Sequence, residues 1–372
     1  MILFISRKYP PSIGGMQRLS YELTTRIGKL ADTFVISWGH SQIFLPLFLV
    51  YAFLKAIVIV LTKKEVELIH LGDPVLSPLG LLLKFLFGLP IVVNIHGLDI
   101  VFPNRFYQRF IPRCLRRMDK LICISPQTKE ECVKRGIAGK RCTVIPVGID
   151  ADRFRPVVSA DGKEAVEALI GKRLDGVKIL LTAGRLVKRK GVLWFISRAL
   201  PRIIAEQPNV CYLIVGEGPQ HGSVEKRVRH LDLEDKVVLL GKVDDKTLRI
   251  VYNAADIFVM PNIPVKGDFE GFGIAAIEAA AAGLCVVASR LDGIPSAIIE
   301  GENGFLVSPE DVDAYVRIIV SLLKDANLRR NFGERAREFT RKNYSWQKIA
   351  GQYLRVFKQV IAEHKQVRDS HC

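Results

Sequence analysis

A chain of 372 residues is too long for one ordinary core and suits two domains of about 150–200 residues. Its hydrophobic content of 49% excludes wholesale disorder, and its net charge of +16 points to nucleic acid, an anionic membrane surface or phosphorylated substrates as partners. The seven cysteines (114, 123, 132, 142, 211, 285, 372) are scattered with no C-x-x-C pair, which speaks for a reducing cytosol and against a disulfide framework or a zinc site.

The opening MILFISRKYPP has no separate charged region or cleavage site and reads as a first strand over 2–6 rather than a signal peptide. A loop over 7–15 ends in Gly14-Gly15, followed by a helical pattern through 27 and a strand over 33–38. Strand, Gly-rich turn and helix make a doubly wound beginning, in which Gly14 and Gly15 let backbone approach a ligand; a plain turn is the other reading. Residues 43–61 are apolar except for Lys55 and nearly long enough to span a bilayer. Pro46 inside the run, Lys55 at its centre and the strands that resume at 68–71 and 91–94 favour a buried or interfacial helix instead. A second very apolar helix covers 79–89.

His96 follows the strand IVVN in the order His96-Gly97-Leu98-Asp99, a place where either an active-site group or a structural histidine fits. Over 105–118, Arg105, Arg109, Arg113 and Arg116 share one helical face, with Phe106, Phe110 and Leu115 on the other and Pro112 bending the middle. Between 105 and 141 eleven Lys/Arg stand against three acidic residues, half of the whole chain's excess charge. Such a basic amphipathic stretch suits an anionic membrane surface, or simply a solvated face. Nucleic acid is disfavoured, because the basic residues lack interleaved exposed aromatics and no recognised module is visible.

Strands over 121–124 and 143–146 lead through VIPVGID to a polar, low-pattern stretch ending at 175, read as the interdomain linker. From Lys178 a second series of short strands and helices begins, which implies a second parallel sheet. Its first strand delivers Arg185 and Lys190 before a helix, an arrangement suited to clamping a diphosphate and neutralising a leaving nucleotide without a metal. Gly216-Glu-Gly218-Pro-Gln-His-Gly222 departs from a dinucleotide fingerprint and reads as a nucleotide-proximal turn. The acidic pairs Asp150/Asp152 and Asp311/Asp313 look structural.

The most informative stretch is FEGFGIAAIE, 269–278. Glu270 precedes Gly271, Phe272 and Gly273, and Glu278 lies in the first turns of an Ala-rich helix stopping at Gly283. Amides at a Gly-flanked helix start favour phosphate, while the two carboxylates suit sugar hydroxyls on either side of it. That describes a nucleotide sugar, although a capped core helix with two surface glutamates fits the same letters. The tail from Asp311 is helical, with Ser345 as the N-cap of a last helix reaching about His364.

In this order, the Gly14-Gly15 loop, His96-Gly97-x-Asp99, VIPVGID, Gly184-Arg185 with Lys190-Gly191, Val215-Gly216-x-Gly218-Pro219, Glu270-x7-Glu278 and Glu300-Gly-x-Asn303-Gly304 resemble a family 4 glycosyltransferase over nearly the whole chain. The resemblance implies the GT-B fold: two Rossmann-like, doubly wound α/β domains facing a cleft, over 1–155 and 156–345, with 346–372 crossing back onto the first. It implies that Arg185 and Lys190 hold the donor diphosphate, that Glu278 binds the ribose, and that Glu270 with the Gly271–Gly273 amides binds the donor sugar. His96 would sit at the reacting centre, with Asp99 beside it and Gly15 near phosphate and acceptor; Gly216 and Gly218 would line the nucleotide. Retention of configuration, with no metal and no cofactor beyond the donor itself, is implied as well.

The loop between Trp38 and the apolar run is shorter than the family's usual one, so the acceptor is the less defined substrate. The resulting expectation is a hexosyltransferase using a UDP-sugar or GDP-mannose on a lipid-linked or growing glycan, at the cytoplasmic face of the membrane. The alternatives are a nucleotide-sugar epimerase on the same fold, a non-catalytic sugar-nucleotide-binding scaffold, and a phosphorylase or synthase with a soluble acceptor.

Overall fold

The computed structural model describes residues 1–12, 14–63, 65–154 and 161–370. The chain forms two compact units, one made of residues 1–148 with 346–372 and the other of 149–345. The boundary expected at 155/156 falls outside the described residues.

Unit 1 runs β1 (Ile2–Ser6), α1 (Gly15–Gly28), β2 (Thr33–Ser37), α2 (Leu45–Thr62), β3 (Leu68–Leu71) and α3 (Ser77–Phe87). It continues with β4 (Ile91–Ile95), α4 (Arg105–Leu115), β5 (Lys120–Cys123), α5 (Pro126–Lys134) and β6 (Cys142–Val144). The six strands form one parallel sheet in the order β2-β1-β3-β4-β5-β6. Every residue of β1, β3 and β4 is buried, as expected where helices cover both faces of a parallel sheet. The strand order reverses between β1 and β3, which makes their carboxyl ends the crevice where such sheets take ligands.

The C-terminal helix (Trp346–Asp369) packs in this unit, beside α1. Its Phe357 ring lies 6.1 Å from Phe4 and 5.5 Å from His70. Burial in this aromatic cluster lowers the His70 pKa to about 4, so its imidazole is neutral at physiological pH.

Two helices of unit 1 are only half covered. On α2, Phe48, Ala52, Ala56 and Ile59 are buried, and Pro46 sits in the first turn, where its missing N–H disturbs nothing. The other face, Leu47, Val50, Tyr51, Leu54, Val58 and Leu61, is exposed. Leaving six large apolar side chains in water forgoes on the order of 1 kcal/mol each. On α4, Asn104 caps the N-terminus by accepting the Tyr107 amide proton at 3.0 Å. Leu115 is buried, whereas Phe106 and Phe110 are not: they are 85% and 57% exposed and share the solvent side with the arginines.

Unit 2 contains α6 (Asp161–Ile170), β7 (Lys178–Ala183), α7 (Val192–Arg198), α8 (Leu200–Glu206), β8 (Val210–Val215), α9 (His221–His230) and β9 (Val237–Gly241). Then come α10 (Asp245–Ala254), β10 (Ile257–Met260), α11 (Ile274–Ala282), β11 (Cys285–Ser289), β12 (Phe305–Val307), α12 (Val312–Lys324) and α13 (Ala326–Tyr344). Its parallel sheet has the order β12-β11-β10-β7-β8-β9 and switches direction between β7 and β10. The stretch read as a linker carries α6, which packs against α10, so most of its described part belongs to this unit. Asp311 caps α12 by accepting from the Ala314 amide, as its sequence position suggests.

Candidate active site

In unit 2 the switch point places the loop after β7 beside the loop after β10. The first carries Arg185, Arg189 and Lys190; the second runs from Asn262 to Glu270 and into α11. Three glycines let the loop after β7 meet its neighbours, two of them in the loop after β8 and one facing the loop after β10. A Cβ on Gly216 would come within 2.0 Å of the Gly184 oxygen, one on Gly218 within 2.3 Å of the Leu186 oxygen, and one on Gly191 within 1.8 Å of the Pro261 oxygen. Gly216 and Gly218, read from sequence as ligand contacts, thus shape the site by closing on the neighbouring strand's loop.

Lys190 and Glu270 are brought together, with Nζ 2.6 Å from Oε2. The same carboxylate oxygen accepts from Arg189 Nε at 3.3 Å and Asn262 Nδ2 at 3.2 Å. Burial by itself would raise the Glu270 pKa; the Lys190 and Arg189 cations hold it below the ordinary carboxylate value instead. Arg189 also pairs with Asp268 at 3.0 Å, and the Glu270 amide donates to Asp292 Oδ2 at 3.0 Å. Arg185 is exposed, and among the described residues its side chain makes no hydrogen bond or ion pair, so its five donors face solvent.

The helix that follows starts at a left-handed Gly273, φ 102°. Among the described residues the amides of 271 to 275 donate to nothing, which leaves a row of donors at the positive end of α11. Phe272 offers a ligand only its amide, since its ring is buried 5.9 Å from that of Tyr344. Glu278 is buried one turn further on, where the Tyr252 hydroxyl donates to it at 3.3 Å.

Unit 1 assembles a second cluster at its own switch point. His96 is buried, and its Nε2 lies 2.8 Å from the Gly72 carbonyl. A carbonyl only accepts, so Nε2 donates a proton in this contact. Asp99 turns back on the His96 amide, 3.0 Å from each of its oxygens; it orients the histidine's turn rather than facing outward. That turn needs Gly97, whose φ is 96°. Gly14 and Gly15 are exposed at the start of α1. Just after β1, Arg7 pairs with the fully buried Asp73 at 2.9 Å. Burial and Arg7 together lower the Lys8 pKa. An open groove of about 900 Å³ on α4 is lined by Phe102, Phe106 and Phe110 with Arg109 and Arg113.

Sequence reasoning missed Arg189, Asn262 and Asp292 in unit 2 and Arg7 and Asp73 in unit 1. Only Arg189 had a signal, its place beside Lys190; Asp292 joins Glu270 across 22 residues of chain and Arg7 joins Asp73 across 66, while Asn262 reaches Glu270 from eight residues away through the fold of an irregular loop. It also missed a convergence of cysteines: the Sγ atoms of Cys123, Cys132 and Cys142, apart in sequence, lie within 4.8 Å of one another.

Residues 170–339 match the family described as "Glycosyl transferases group 1", and residues 13–153 match "Glycosyltransferase Family 4". The chain is 30% identical over 308 residues to an uncharacterised glycosyltransferase of Methanocaldococcus jannaschii, covering 80% of this chain and 77% of that one. It is 26% identical over 380 residues to a GDP-mannose-dependent monoacylated α-(1-6)-phosphatidylinositol monomannoside mannosyltransferase of Corynebacterium glutamicum, at 95% and 96% coverage. In fold it matches the Anabaena protein HepE in complex with UDP, with a TM-score of 0.76, 19% identity, and 96% and 99% coverage.

Proposed function

The chain belongs to glycosyltransferase family 4, and from that footing we propose that it transfers a hexose, with retention of configuration, from a nucleotide-diphosphate sugar to a lipid-linked or growing glycan acceptor. The observation that carries this reading is the junction in unit 2: Lys190 paired with Glu270, Arg185 on the same loop, and the undonated amides opening α11. A diphosphate bound there meets two permanent cations and a helix N-terminus, while the carboxylates of Glu270 and Glu278 accept from the sugar and ribose hydroxyls on either side. Charge growing on the departing nucleotide is stabilised by donors already in place, each contributing roughly 3–4 kcal/mol to the transition state. The two cations support a transfer that proceeds without a metal. The proton of the acceptor hydroxyl passes to the departing phosphate oxygen, so no protein base is needed. A nucleotide-sugar donor is in keeping with two of the proteins named above: the Corynebacterium glutamicum relative is GDP-mannose-dependent by name, and the fold neighbour HepE was solved in complex with UDP.

The exposed faces of α2 and α4 and the groove with Arg109 and Arg113 support a cytoplasmic enzyme that rests on the inner face of the membrane. Among the described residues, one helix, 42–62, is long and apolar enough to cross a bilayer. Its buried Phe48, Ala52, Ala56 and Ile59 support a position along the surface.

Calorimetry with UDP-sugars and GDP-mannose tests the donor site. One donor is expected to bind the wild type, with Glu278→Ala weakening it at least tenfold and Arg185→Ala lowering turnover about 10²-fold or more. Absence of binding by any nucleotide sugar would sink the transferase reading in favour of a scaffold, and consumption of donor without acceptor would favour an epimerase.

A further inference from the structure

Three thiols that no step of glycosyl transfer uses meet inside unit 1. Cys123 ends β5, Cys132 lies on α5 and Cys142 begins β6. The sulfurs of Cys123 and Cys132 are 3.9 Å apart, and all three lie within 4.8 Å of one another. We propose that Cys123, Cys132 and Cys142 form a three-sulfur site for a soft monovalent cation, Cu(I).

The spacing fits such an ion. A cation 2.3 Å from each of three coplanar sulfurs requires the sulfurs to stand about 4.0 Å apart, so the observed separations need only a small inward shift. Donor count and burial then choose the metal. Zinc closes a structural site with four ligands, yet among the described residues no fourth His, Cys, Asp or Glu joins the group. Cys123 and Cys132 are fully buried and Cys142 is 4% exposed, so water is poorly placed to fill a fourth position. A d¹⁰ ion that is satisfied by three thiolates suits the site, and soft thiolate ligands select Cu(I). Binding displaces the thiol protons to solvent and leaves all three sulfurs as thiolates around the ion. The ion would tie β5, α5 and β6 together at one end of the sheet.

The test uses the full chain, purified reduced and anaerobically, and offered Cu(I) as its bicinchoninate complex. The wild type is expected to withdraw one Cu(I) per chain, with X-ray absorption showing three sulfurs at about 2.3 Å. Cys142→Ser should withdraw none, while Cys211→Ser, in unit 2, should still withdraw one. The proposal is overturned if the wild type leaves the copper with the chelator, if Cys142→Ser competes as well as the wild type, or if Zn(II) is taken in preference. Since the wild-type measurement stands alone, misfolding of a variant cannot rescue the idea.

Discussion

Glu270 shows how one carboxylate is fixed by its neighbours. Its side chain and that of Lys190 are 12% and 13% exposed, so removing one charge strands the other in a poorly solvated place. Because the folded-state pKa lies below the ordinary 4.5, the ion pair's stabilisation is complete above about pH 4.5 and drains as pH falls through the lower folded value. Glu270→Gln should therefore melt well below the wild type at pH 7, by on the order of 3 kcal/mol, and the gap should close in acid. Melting curves between pH 3 and 7 check this; a gap constant across that range would show that the pair does not titrate as described. Glu270 and Lys190 were legible in sequence because each sits at a fixed place after a strand. The partners that set the pKa were not, since Arg189 reaches Glu270 only once β7 and β10 lie side by side, and Asn262 only once the loop after β10 folds back on itself.

At the level of elements, alternation of apolar strands and helices made both sheets legible, because a strand buried on both faces has to be apolar throughout. Junctions were less so. The stretch before β7 looked like a linker because its polarity hides α6, and Phe106 and Phe110 looked to lie on the face opposite the arginines because periodicity cannot say which sides of a helix the fold leaves open. The three cysteines are separated by the very helix and loop that bring them together. Gly191 is the junction residue with the least tolerance: its φ is 67°, and any Cβ would strike the Pro261 carbonyl. Gly191→Ala should lower stability by about 2 kcal/mol or more and, by displacing the adjoining Lys190, weaken donor binding. Urea unfolding beside nucleotide-sugar calorimetry reads both; an unfolding curve unchanged from wild type would refute the strain argument.

For the whole molecule, the apolar surface of unit 1 is the property that folding leaves unsettled. Leu54 and Val58 are 58% and 57% exposed on α2, so replacing both by glutamate removes little internal packing. The double variant should keep its melting temperature and its nucleotide-sugar affinity while losing flotation with anionic liposomes. Glutamates at Arg105, Arg109 and Arg113 should remove the salt-dependent part of the same binding. Flotation equal to wild type in both variants would assign these faces to some other partner.

The C-terminal helix has a consequence for how the protein is made. Unit 1 is interrupted in the chain by the whole of unit 2, and the ring of Phe357 that covers Phe4 and His70 is supplied after residue 345. During synthesis the earlier-made half must therefore wait, its aromatic cluster uncovered, while the later-made half emerges and can close its own core. A nascent chain stalled near residue 345 should hold a finished unit 2 and an unfinished unit 1, leaving the first-made half as the one that chaperones and proteases meet.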